Sequence, residues 1–183
     1  MTQLHGEELG ITSNVYIRVI NGKNGDYKDI IGHNKATKSL LLGMYKLLRG
    51  DFKEDNTSFD YAPQWLKVGE SSTTPTFTDT RLWLPLYEDG TQANNYDDGT
   101  IEYKTRQRGK EYTEGTNSIT FSVKFYMESN DLPGTVSTPT TITEVGLFSD
   151  ANILLARYVL DEPIEKYDTD FVDILWEVTI TSL

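Results

Sequence analysis

The stretch that decides the fold is TEVGLFSDANILLARYVLDEPIEK, residues 143–166. Two apolar segments, VGLF and ILLARYVL, flank the polar tetrad SDAN, and a proline follows the second segment. Short apolar segments joined by a four-residue polar loop are typical of a β-hairpin. From this hairpin we expect the following side chains to reach the core, depending on register: Val145, Leu147, Leu155 and either Tyr158 or Val159.

Arg157 is the one charged residue inside the second apolar segment of this hairpin. Two interpretations remain open for it. It faces outward as a surface arginine, or it forms an ion pair with Glu144 across the hairpin, worth about 0.2–1 kcal/mol. Gly146 predicts either a bulge or a close approach of another segment to the backbone.

Further strands extend the pattern on both sides of the hairpin. The C-terminal segment FVDILWEVTI (171–180) and the segment SITFSVKFYMES (118–129) alternate apolar and polar residues, which predicts half-buried strands. NVYIRVIN (14–21) and DYKDII (26–31) flank the turn NGKNG and predict another hairpin. We interpret RGKEYTEGTN (108–117) as a turn. The whole chain is expected to have about eight strands.

One helix is predicted from the segment HNKATKSLLLGMYKLLRGD, with Asn34 as its N-cap. Its apolar stripe consists of Leu40, Leu41, Met44, Leu47 and Leu48. The predicted fold is therefore mostly β, an antiparallel β-sandwich or open barrel with one amphipathic α-helix. Residues 1–13 are expected to form an N-terminal arm. Residues 14–183 are expected to form a single β-rich domain with an exposed polar excursion at about 88–100.

Composition limits the chemistry that the chain can perform. The 183 residues include no cysteine, which excludes disulfides, thiol nucleophiles and thiolate metal sites, and only two histidines, His5 and His33. The formal net charge of −11 opposes binding to a phosphate backbone. No apolar run approaches the roughly 20 residues that a transmembrane helix needs.

Paired carboxylates are the only candidate catalytic groups in surplus, and each pair lies in a polar turn or beside glycines. The pairs considered are Glu88 with Asp89, Asp97 with Asp98, and the set Asp168, Asp170 and Asp173. The last set, in YDTDFVD, has hard oxygen ligands that suit calcium but lacks the full EF-hand order, so a solvated turn is the competing interpretation. Such turns usually carry solvated carboxylates, and no nucleotide-binding, hydrolase or zinc motif is present.

The remaining candidates favour structural roles. We interpret His33 as a capping or packing residue, and Trp65, Trp83 and Trp176 as core residues rather than sugar-stacking platforms. We therefore predict no catalytic, cofactor-binding or metal-binding residues, no cofactor and no enzymatic activity. The basic cluster RQRGK (106–110) is either half of an electrostatic interface with an acidic loop of a neighbouring subunit or a solvated turn.

Three blocks of sequence together resemble structural proteins of tailed bacteriophages, from the tail, neck and collar. The first is GHNKAT (32–37), leading into the helix. The second is TPTFTDTRL (74–82), similar to a TPxxxDTxL pattern. The third comprises ITEVGLF, LLAR, PIEK and WEVTI, in that order between residues 142 and 180. The blocks follow the order of that family and, with their flanking residues, extend over about half of the chain.

The resemblance implies a non-enzymatic virion component, made in the host cytoplasm and assembled as a ring at the neck, collar or tail. Its implied partners are copies of itself in a cyclic oligomer and other virion proteins such as portal, adaptor and tail proteins. Neither sequence-specific nucleic-acid binding nor a membrane is expected. The alternative is a receptor- or carbohydrate-binding module of a tail fibre or baseplate, consistent with the 11 tyrosines. A depolymerase is the third and least favoured reading.

Overall fold

Two five-stranded antiparallel sheets form the protein in its computed structural model, which describes residues 9–33, 35–49, 62–86, 103–132 and 138–182. The elements within these ranges are β1 (Leu9–Ile20), β2 (Tyr27–His33), β3 (Lys35–Ala36), α1 (Lys38–Arg49), β4 (Pro63–Gly69), β5 (Lys104–Arg106), β6 (Gly109–Glu114), β7 (Ser118–Met127), β8 (Thr140–Ser149), β9 (Leu154–Lys166) and β10 (Phe171–Ser182).

The strand order is β2-β1-β10-β7-β6 in the first sheet and β3-β9-β8-β4-β5 in the second. Each sheet has two different edge strands, so neither closes on itself. The molecule is an antiparallel β-sandwich, which confirms the predicted fold class and selects the sandwich over the barrel. The hairpin of the opening stretch is β8–β9, paired through most of its length.

The main core lies between the two sheets and follows the alternation of the strands. Val172, Ile174, Trp176 and Val178 of β10 are buried, as predicted from the sequence. The indole of Trp176 is fully buried and donates a hydrogen bond from Nε1 to Ser13 Oγ at 3.1 Å. From the hairpin, the predicted core residues are confirmed, with Tyr158 rather than Val159 buried: Val145, Leu147, Leu155 and Tyr158.

A second, smaller cluster lies on the outer face of the second sheet, where residues 70–86 cover it. Leu82 of this covering segment packs with Phe148 and Leu154 of the hairpin. The segment is tied to the start of α1, because Lys38 N donates to Phe77 O at 2.8 Å. The hairpin strands are therefore buried on both faces, which explains their nearly continuous apolar sequence.

The helix differs from its prediction at its start. It begins at Lys38, because residues 35–36 pair with β9 as the short strand β3 before the chain turns. Asn34, the predicted cap, lies outside the described residues. Leu40 is buried as expected, but Leu41 is 37% exposed, so the apolar stripe is narrower than predicted. Nothing is described of the side chains of Met44, Leu47 and Leu48.

Two other boundaries also require correction. β1 begins at Leu9, so residues 9–13 of the predicted arm belong to a strand paired with β10, and residues 1–8 lie outside the described part. Residues 109–114 form the edge strand β6, where a turn was predicted. The predicted excursion at 88–100 lies outside the described residues. Among the described residues, no helix has the length and apolarity needed to cross a membrane.

Candidate functional site: a buried ion triad

The most unusual group in the structure is a charged triad buried beneath the covering segment. Arg157 of β9 is fully buried, Glu144 of β8 is fully buried, and Asp79 of the covering segment is 9% exposed. Charged side chains are rarely buried to this extent unless they are paired. In this triad, the cost of burying three charged groups is offset by their pairing with one another.

Local strand geometry brings Arg157 and Glu144 together. Arg157 stands opposite Gly146 in the hairpin register, and Glu144 occupies the diagonal position two residues earlier on the same face. A Cβ at Gly146 would lie 2.8 Å from Leu82 Cδ2 and from Phe148 Cε2. The glycine therefore lets the covering segment approach the sheet closely, which confirms the second of the two roles predicted for it.

The guanidinium of Arg157 makes contact with both carboxylates. Its Nε donates to Glu144 Oε2 at 2.7 Å, and its NH1 donates to Asp79 Oδ2 at 3.0 Å. The NH2 nitrogen also lies 2.7 Å from Glu144 Oε2, as a charge contact rather than an aligned hydrogen bond. Of the two interpretations left open by the sequence, the ion pair with Glu144 is confirmed and the outward-facing arginine is wrong.

Asp79 is held by its own segment as well as by Arg157. Its Oδ1 accepts from Thr76 Oγ1 at 2.6 Å, and its Oδ2 accepts from the Thr76 backbone N–H at 3.0 Å. Burial raises the pKa of Asp79, but the hydrogen bonds from Thr76 and Arg157 outweigh burial and hold the pKa below its usual value. Asp79 is therefore a stable carboxylate at neutral pH.

Glu144 joins the other end of the covering segment to the sheet. It accepts from the backbone N–H groups of Leu84 at 3.0 Å and of Trp83 at 3.5 Å. Gly69 makes this approach possible, because a Cβ there would lie 2.4 Å from Leu84 O and 2.5 Å from Glu144 Oε1. One buried carboxylate thus satisfies backbone donors that the covering segment would otherwise leave without partners.

The first sequence block reaches the same place through Thr37. This threonine is fully buried, and its Oγ1 contacts the carbonyl oxygens of Leu154 at 2.7 Å and Leu155 at 2.9 Å. Its backbone N–H also donates to Leu155 O at 2.9 Å. GHNKAT, TPTFTDTRL and ITEVGLF therefore each contribute a contact to the LLAR segment of β9.

Chemically, this arrangement is a clamp. Two carboxylates share one guanidinium, the remaining acceptor sites are used by threonine and backbone donors, and all three charged groups lie away from solvent. The Thr76 hydroxyl beside Asp79 serves as a hydrogen-bond donor to that carboxylate. The triad fixes the covering segment on the hairpin, which is a structural task.

The other residues considered from the sequence do not join the triad. His33 is exposed, with Nδ1 2.7 Å from Asn14 Oδ1, so it belongs to the surface of the first sheet rather than to a helix cap. Trp176 is buried as expected, whereas Trp83 is 48% exposed and does not belong to the core. Trp65 packs at the margin of the smaller cluster. Glu88, Asp89, Asp97 and Asp98 lie outside the described residues, as does His5.

The carboxylates of YDTDFVD separate in space. Asp173 is exposed on the outer face of the first sheet, whereas Asp170 is buried and accepts from Tyr167 N at 3.1 Å. Lys166, fully buried, donates from Nζ to Ser129 O at 3.1 Å, and burial lowers its pKa although Asp131, Asp170 and Asp168 act to raise it. Within the described ranges, no three His, Asp or Glu residues converge as a metal-binding group.

The fold and this site define a β-sandwich whose hairpin is clamped by a buried ion triad. Comparison of the chain with family models, with curated proteins and with solved structures finds no match in any of the three. The assignment of a function therefore rests on the geometry described above and on the resemblance of the three sequence blocks.

Proposed function

We propose that the protein is a non-enzymatic structural component of a tailed-phage particle, assembling as a ring at the neck, collar or tail. One observation carries the proposal. The first and second blocks are distant in sequence from the third, yet both contact its LLAR segment, residues 154–157 of β9, where Arg157 also pairs with Glu144 of the third block. If the blocks resemble those of other proteins because they stabilise a common fold, their residues are expected to contact one another inside the protein. These blocks do so.

The burial of the three charged residues that join these blocks favours assembly over catalysis. Asp79, Glu144 and Arg157 connect the second block to the third, and all three are at most 9% exposed. A substrate has no access to them without opening the covering segment. A clamp that fixes residues 70–86 gives every copy the same surface, which repeated contacts in a ring require.

The implied partners are further copies of the chain and neighbouring virion proteins such as portal, adaptor and tail proteins, with the virion as its location. The net charge of −11 is consistent with a component that does not bind nucleic acid by counterion release. Large apolar side chains exposed on the edges of the first sheet suit contacts with other subunits. Examples are Tyr27 at 64% and Tyr112 at 70% exposure.

Native mass spectrometry of the purified chain over a range of concentrations tests this proposal. A closed assembly of six or twelve copies is the expected result. Three copies would favour the fibre or baseplate alternative, and a monomer at every concentration would contradict ring assembly by this chain.

The alternative, a receptor- or carbohydrate-binding module, is favoured by one specific observation. Trp83 and Phe77 of the covering segment are 48% and 47% exposed, and exposed aromatic rings can stack on sugars. Glycan-array binding that is lost in Trp83→Ala and retained in Trp65→Ala would support this function. Absence of binding to all glycans by the assembled protein would count against it.

A further inference from the structure

Two groups of side chains of opposite charge lie on the two open sides of the sandwich. On one side, the edge strand β2 of the first sheet lies beside β9 of the second. On the other side, the edge strands β5 and β6 follow each other in sequence. Because the two sides are opposite edges of the same sheet, a contact between them joins copies head to tail.

The side at β2 and β9 contains an acidic cleft of about 610 Å³. Four carboxylates line it, and Lys28 is the lysine among its lining residues; the carboxylates are Asp26, Glu162, Glu165 and Asp170. Lys28 is already paired with Glu162 at 2.6 Å. The buried Lys166 also interacts electrostatically with Asp170, and the four carboxylates still leave the cleft with an excess of negative charge that suits a cationic group.

One carboxylate in this cleft is buried without full satisfaction. Asp170 is 4% exposed, and its Oδ2 accepts from Tyr167 N at 3.1 Å. Its Oδ1 is buried and has no hydrogen-bond partner in the described structure. A buried carboxylate oxygen without a donor is costly, and a cation bound in the cleft would offset part of that cost through its charge.

The opposite side contains the basic segment, residues 104–110, with the sequence KTRQRGK and no acidic residue. Lys104 and Arg106 lie over the ring of Trp65, at 4.7 and 6.0 Å from its centroid, which holds them along this side. Arg108 pairs at the surface with Glu128 at 2.9 Å. Burial and the charge of Arg106 lower the pKa of Lys110, while Asp150 acts to raise it, so an arriving carboxylate would further offset the repulsion between the cations.

We propose that the acidic cleft between β2 and β9 binds the basic segment of a second copy of this chain. The contact is heterologous, since the acidic and the basic surface lie on opposite edges of each subunit. Repetition of such a contact forms a closed ring when the rotation from one subunit to the next is a whole fraction of 360°. Exposed apolar side chains accompany both surfaces, Ile31 on β2 and Tyr112 on β6. The inference rests on the proposed ring function and identifies its interface.

Charge reversal with a swap tests the contact directly. Lys110→Glu and Glu165→Lys each alter one exposed side chain on one of the two surfaces. Each single variant is expected to weaken assembly at least about tenfold in dissociation constant, and the double variant to recover most of this loss, because the opposite charges are restored. Lys38→Glu, at the exposed start of α1 and outside both the lining of the cleft and the basic segment, is the matched control and should assemble like the unchanged chain.

Cysteine cross-linking locates the contact in the same assembly, because the chain contains no cysteine of its own. A mixture of Lys110→Cys and Glu165→Cys chains should form a covalent dimer with a short bismaleimide, and a mixture of Lys110→Cys and Lys38→Cys chains should not. If the unchanged chain and the charge variants assemble equally well and no specific cross-linked dimer forms, the proposed interface is wrong, but the proposed ring function is not contradicted. If the unchanged chain is monomeric at every concentration, both the interface and the ring function are contradicted.

Discussion

Replacing Arg157 with methionine tests the ion triad, because it removes the cation and keeps a side chain of similar volume. At an effective dielectric constant of 20, the contacts at 3.0 Å to Asp79 and 2.7 Å to Glu144 each represent a gross attraction of about 5–6 kcal/mol. Desolvation of all three charges offsets much of this attraction. The net loss on removing one partner of a buried pair is about 3–5 kcal/mol, and this is the expected decrease in the free energy of unfolding.

The assay is urea unfolding followed by tryptophan fluorescence, at a fixed protein concentration because assembly also contributes to apparent stability. The matched control is Arg18→Met. Arg18 makes a two-contact pair with Asp29 at 2.7 and 2.8 Å, but the pair is about half exposed. Its loss should therefore lower the free energy of unfolding far less than the loss of Arg157 does.

The loss in Arg157→Met should also depend on pH. Without the guanidinium, Asp79 loses a hydrogen bond and a positive charge that help to hold its pKa low, so burial is expected to raise that pKa. Protonation of Asp79 then relieves the variant as pH falls through the raised pKa, so the difference from the unchanged chain should be smaller at about pH 5 than at pH 7. A loss no greater than that of Arg18→Met, and equal at both pH values, would refute the reasoning.

Three further outcomes are expected. Asp79 has a pKa below its ordinary value of 3.8, so the stability that it contributes is present above that value and is lost as pH falls through its pKa in the folded protein. In Asp79→Asn, the free energy of unfolding should therefore decrease less steeply as the pH is lowered. Gly32→Ala should cost about 1–3 kcal/mol, because its Cβ would overlap the ring of Tyr158, whereas Gly109→Ala, with nothing within 4 Å, should be nearly neutral in the same urea assay. Thr37→Val should lower the melting temperature, since it removes a hydroxyl bound to two β9 carbonyls and costs about 1–2 kcal/mol; an unchanged melting temperature would contradict that role.

The hairpin could be predicted because two short apolar segments flank a polar tetrad, and the last strand because its alternating sequence indicates which side chains are buried. β10 alternates over its length, and the side chains predicted to face inward from residues 172 to 178 are buried. β6 could not be predicted in this way. It is an edge strand with residues 110–114 exposed, so neither face leaves an apolar pattern in the sequence.

Two of the three residues of the triad could be predicted from the sequence. An arginine within an apolar segment, close to a glutamate across a hairpin, suggested the pair of Arg157 and Glu144. Asp79 lies 78 residues from Arg157, and no local periodicity connects them. The covering segment made the difference, since it buries a pair that a two-layer sandwich alone would leave at the surface. Its threonine-rich, proline-containing sequence does not indicate the face of the sheet on which it lies.

Cryo-electron microscopy of the assembly formed by the unchanged chain tests the central claim most directly. We expect closed rings of cyclic symmetry in which the β2 edge of each subunit contacts the β6 edge of the next, with every covering segment held in the same position. Single subunits, or trimers that project the covering segment outward at their tips, would contradict the account of this protein as a ring component.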